Sequence, residues 1–104
     1  MKIIKLKILD PDDPQEITDY KEIIQMIAKS PNVDRNGRAQ GLSIDEVRKG
    51  VRILAAIEKA EDQLELEDAD YNHLMQKAKS FQWAKASENI VIFMDDLEKA
   101  EEVQ

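Results

Sequence analysis

Residues 31–49, PNVDRNGRAQGLSIDEVRK, decide how this 104-residue chain is read. Two readings compete for them. In one, Asn32, Asp34, Asn36 and Gly37 open a calcium loop; in the other, they connect two helices, the second of which starts at a strong cap. An EF-hand loop needs oxygen ligands at its first, third and fifth positions, glycine at the sixth and a bidentate glutamate at the twelfth. With Gly37 sixth, the first three ligands are acceptable, but the twelfth position is Ser43, which has no carboxylate. Starting the frame at Asp34 puts Ala39 where glycine belongs. Arg35 and Arg38 would also set positive charge beside a dication. The stretch therefore reads as a loop over 31–42 feeding a helix, and no metal ligand is assigned.

Working outward, Ser43-Ile44-Asp45-Glu46 is a capping box, in which the serine hydroxyl and the Glu46 carboxylate each satisfy a free backbone N–H. It predicts a helix over 44–61 with Ile44, Val47, Val51, Leu54 and Ile57 as its apolar face. Gly50 in mid-helix costs ~1 kcal/mol relative to alanine, which implies close approach of another element, naturally the preceding helix. That helix spans 19–30: Thr18 caps it, Tyr20, Ile23, Ile24 and Ile27 form its buried stripe, and Pro31 stops it near Ser30.

Further upstream, residues 2–9 alternate around lysine and predict a strand, with Ile4, Leu6 and Ile8 on one face and lysines suited to a protected edge. The run DPDDP breaks it, and Gln15–Ile17 is expected to run back beside it. Downstream, QLELED predicts a short strand over 63–67, with Glu65 and Glu67 opposing Lys5 and Lys7. Asp68 then caps a helix over 69–81 with Tyr71, Leu74, Met75 and Ala78 inward. Ser87 caps another over 88–100 carrying Ile90, Phe93, Met94 and Leu97. The acidic tail 99–104 is expected to fray. The expectation is one α+β domain over 1–104, mostly helical, with about four helices and a small two- or three-stranded sheet in the order β-α-α-β-α-α.

The net charge of −7 is unevenly spread. Residues 1–60 hold 11 Lys/Arg against 10 Asp/Glu, and residues 61–104 hold 4 against 12. The second half, at −8, disfavours nucleic acid by repulsion. No cysteine is present, so there is no disulfide framework or thiolate zinc site, and a cytoplasmic location is expected. MKIIKLKILD is too short and too broken by lysine to be a signal peptide or a membrane span.

Chemistry is sparse. His73, the one histidine, falls beside Gln76 and Lys77 and away from the apolar stripe, so it reads as exposed. Gly37, Gly41 and Gly50 fit neither a Walker loop nor a dinucleotide fingerprint, and the carboxylates read as helix-start acids and solvated faces. No catalytic residue, cofactor or enzyme activity is expected. The candidate binding residues are a basic group, Arg35 and Arg38 on the loop with Arg48, Lys49 and Arg52 on the outer face of the following helix, together with Trp83 at a helix junction. The basic group suits phosphate or an acidic partner, although Asp45 is placed to pair with Arg48 or Lys49. Trp83 suits closure of a core end, or an interface anchor.

The run GLSIDEVRKGVRILAAIEKAEDQLELEDADYNHLMQKAKSFQW (41–83) resembles small proteins encoded in bacteriophage and prophage gene clusters. The resemblance lies in the GLS-DE-R opening, the LELEDADY segment and the tryptophan ending the third helix; with the first strand, it covers about residues 41–97. It implies an accessory role in assembly or host interaction and carries over no site residues. The expected function is a non-enzymatic binding protein whose partner is another protein. One alternative is a nucleic-acid-contacting regulator using the basic group. Another is an acidic mimic of nucleic acid using Asp95, Asp96 and Glu98. Oligomeric state is left open.

Overall fold

A computed structural model of the chain describes residues 1–11, 13–33, 36, 38–83 and 86–103. Among these the order is β1 (Lys2–Lys5), α1 (Tyr20–Lys29), β2 (Asn32–Val33), β3 (Ala39–Gly41), α2 (Ile44–Lys59), β4 (Gln63–Leu66), α3 (Asp68–Ser80), α4 (Glu88–Glu98) and β5 (Glu101–Glu102). The class is α+β, as expected: four helices against a small antiparallel sheet of order β4-β1-β5.

The sheet departs from expectation in three ways. First, β1 is the middle strand and not an edge, because Glu101–Glu102, read as a fraying tail, pair with Ile3 and Lys2. The Lys2 ammonium meets the Glu102 carboxylate at 2.9 Å on that side. Second, β4 places Glu65 opposite Ile3 and Gln63 opposite Lys5, so the expected lysine–glutamate ladder does not form. What sets the register is burial: Ile4 lies opposite Leu64, and both are fully inside. Third, the strand stops at Lys5, and the chain then pairs with residues 18–20. Leu9 N–H donates to the Thr18 carbonyl at 3.1 Å, and Tyr20 N–H to the Lys7 carbonyl at 3.0 Å. The returning segment is thus Thr18–Asp19 rather than Gln15–Ile17, and Ile8 points outward instead of joining Ile4.

The helix stripes of α1, α3 and α4 go inward as read, with Met94 and Ile90 only partly covered. Tyr20 and Phe93 meet edge to face at 5.0 Å in the centre, and each fully buried large apolar side chain contributes about 1.5–3 kcal/mol. Caps shift by one residue at two helices. Asp19, not Thr18, caps α1 by accepting from Lys21 N–H. Glu67 occupies the cap position of α3 without a side-chain bond, and Asp68 is already inside the helix.

The segment read as a loop over 31–42 contains the antiparallel pair β2–β3, ending at Gly41 with φ +76°, a conformation glycine adopts without strain. The capping box of α2 forms in both directions, at 3.2 and 3.1 Å. Its expected apolar face goes inward only at its C-terminal end, where Ile57 is buried and Leu54 packs against the core. Gly50, Ile53 and Ile57 are buried, whereas Ile44, Val47 and Val51 are exposed. Gly50 explains the choice: a Cβ there would lie 3.2 Å from the Ala28 carbonyl oxygen of α1, so glycine permits the close approach the sequence implied.

Candidate functional site

Two members of the basic group are paired with carboxylates. Arg52 grips Asp70 in a forked pair, with Nε 3.0 Å and Nη2 2.8 Å from the two carboxylate oxygens. Asp70 is buried, and its hydrogen bond holds the Arg52 guanidinium pKa above the ordinary value. Arg48 pairs across the helix surface with Asp45 at 3.7 Å. Lys49 is half-buried and Arg38 exposed. Arg35 lies outside the described residues. Arg48, Lys49 and Arg52 share α2 but not one outer face: Lys49 turns half-buried toward His73, and the other two have local carboxylate partners.

His73 corrects an expectation. It is buried, 7% exposed, and its Nε2 has no hydrogen-bond partner. The reason is the position of α3, which is covered over a wide arc: Asp70, Tyr71, His73, Leu74, Met75, Lys77 and Ala78 are all inside. Burial lowers the imidazole pKa, and the nearby Lys77 and Lys49 cations lower it further against the opposing pull of Glu46 and Asp70. The neutral form of the ring is favoured. Lys77, also buried, donates to the carbonyls of Ala28 (3.4 Å) and Ser30, closing the end of α1. No group of three or more His, Asp or Glu able to hold a metal occurs among the described residues.

Concave apolar surface gathers instead around Trp83. A hollow of about 420 Å³ is lined by Ile17, Ile23, Met26, Phe81, Trp83 and Ile90, with Asp13, Gln15, Glu16, Gln82 and Asn89 on its rim. Trp83 is half-buried and stacks edge-on against Phe81 (4.8 Å) and Phe93 (6.3 Å), which fixes it to the core. The lip is anchored to the start of α4: Glu16 accepts from the Ser87 hydroxyl and from Asn89 Nδ2 (3.3 Å), and Asn89 also donates to the Asp10 carbonyl at 2.8 Å. A neighbouring cleft shares Trp83 and Ile90 and adds Ala86, Ser87, Glu88 and Val91. Among the described residues, the charged ones lining the two are Asp13, Glu16 and Glu88. A wider groove, about 780 Å³, runs between the end of α2, β4 and the start of α3, but it mixes both signs of charge, including the Arg52–Asp70 pair.

Trp83, named in the sequence reading, lines this hollow. Ile17 and Met26 were not named there, although both are apolar residues left outside the inward stripe of α1, and that surplus is the signal that would have found them. No helix among the described residues is long and apolar enough to cross a membrane. No family model, curated protein or solved structure matches the chain.

Proposed function

We propose that this chain is a small non-enzymatic accessory protein of the phage or prophage kind that acts by holding another protein, with the Trp83 hollow as its working surface. The observation that carries this is an apolar hollow, built on a core-anchored tryptophan, whose charged lining among the described residues is acidic. A hollow of that size falls in the range of side-chain and ligand seats, about 300–1,000 Å³. Its chemistry suits a segment with aliphatic or aromatic anchors flanked by lysine or arginine. The non-enzymatic reading is supported by His73, whose ring is enclosed by packing and beset by cations. The nucleic-acid alternative has weaker support, because Arg52 is already held by the buried Asp70.

Trp83, the single tryptophan, reports directly. Its emission is titrated with synthetic helical peptides that are apolar-basic, apolar-acidic or basic without apolar anchors, and with single-stranded DNA. A saturable shift with the apolar-basic peptide alone is expected. A response to DNA without one to any peptide would replace this reading with the nucleic-acid one.

A further inference from the structure

We propose that the occupant of the Trp83 hollow is a second copy of this chain, entering with the outward stripe of its α2, so that copies associate head to tail. This rests on the reading of the hollow above and names its partner. Among the described residues, each copy carries two exposed apolar faces, and they come from separate elements: none of the described residues lining the hollow or its neighbouring cleft belongs to α2.

The two faces are complementary. Ile44, Val47 and Val51, 64%, 39% and 59% exposed, stand at i, i+3 and i+7, the spacing with which a helix anchors in an apolar groove. Beside the stripe are the exposed cations Arg48 and Lys59, and the described charged lining of the hollow and cleft is acidic, with Glu88 exposed at the cleft. The Arg48–Asp45 contact is a solvent-exposed pair at 3.7 Å, of a kind worth at most about 1 kcal/mol, so Arg48 can exchange partners at little loss. Pairing α2 with α2 would instead bring two arginine flanks together. Because different surfaces meet, the contact is heterologous, and it either closes into a ring or continues as a filament.

Sedimentation velocity over a wide concentration range tests this, with Val51→Glu on the stripe and Ile17→Lys on the lip of the hollow. Both positions are exposed, and far-UV circular dichroism checks that each variant is folded. Wild type is expected to grow beyond the dimer as concentration rises and to shrink with added salt. Each variant alone is expected to associate roughly a hundredfold more weakly, since a charge is forced into an apolar seat. An equimolar mixture of the two variants is expected to form dimers and stop there, because only one intact stripe–hollow pair is possible. A wild type that stays monomeric, a mixture that fails to dimerise, or undiminished association of either variant alone overturns the proposal. A monomeric wild type whose Trp83 still answers the apolar-basic peptide would remove self-association while leaving the hollow's protein-binding role standing.

Discussion

Helices α1 and α2 lie against each other and spend their apolar residues in opposite ways. In α1 the stripe Tyr20, Ile23, Ile24, Ile27 is wholly inside. In α2 the equally regular stripe Ile44, Val47, Val51 is outside, and the inward face is Gly50, Ile53, Ile57. Periodicity reports which residues share a helix face, but it does not report which of two apolar faces will be buried. Here the face bearing the glycine wins, because α1 can draw closest there. The β-branched residues left on the other side remain available for a partner.

The contrast is most sharply tested by paired truncations. Ile24→Ala in α1 is expected to cost about 3 kcal/mol, within the range for a fully buried isoleucine, whereas Val51→Ala in α2 should stay within about 0.5 kcal/mol. Urea unfolding of the two variants measures the difference, and similar losses would erase it. A smaller effect is expected from Lys77→Met, which keeps the side-chain stem but strips the donors from the carbonyls of Ala28 and Ser30. A loss of about 1–2 kcal/mol follows for leaving such acceptors unsatisfied, and thermal melts would show it.

Gly50→Ala weighs the helix–helix approach itself. Alanine gains ~1 kcal/mol of helix propensity, but its Cβ meets a main-chain oxygen at 3.2 Å, near the end of α1 that Lys77 pins. We expect a net loss of about 1 kcal/mol, in keeping with the lower range for overpacking; a gain would mean that α1 gives way freely. The smallest effect concerns the inward side of α2, where Lys49 and Glu46 face His73 on α3 together with Lys77 and Asp70. The folded-state pKa of His73 is lowered from 6.5, so the unfolded chain binds its proton first. That stability is whole above pH 6.5 and declines as pH falls below it. Denaturant midpoints of wild type and His73→Phe across this range should diverge on acidification, and parallel curves would refute it.

Much of the fold was legible because its signals are local. The Ser43–Glu46 box, the Ser87 cap and the halt before Pro31 each involve residues within a few positions of one another. What escaped reading depends on remote partners. The pairing of Glu101–Glu102 with β1 requires residues about a hundred positions apart. The burial of His73 follows from α3 being enclosed by its neighbours, so a one-sided reading of that helix placed the ring outside. The site divides similarly. Trp83 is conspicuous by type, but its hollow is assembled from the 13–17 segment, α1, the junction and α4, and no spacing rule joins these.

Two lysines do quiet work at the ends of the paired helices. Lys77 closes α1, and Lys21 donates from α1 to the Ala60 carbonyl at the end of α2, where the negative end of each helix dipole welcomes a cation. An amine committed in this way is withdrawn from chemistry. Acylating reagents that modify the exposed Lys5, Lys29 or Lys79 should reach Lys21 and Lys77 slowly, and acylation of either would untie a helix end from its neighbour. The order in which the lysines are labelled therefore gives a readout of whether α1 is still fastened to α2, through Lys21, and to α3, through Lys77.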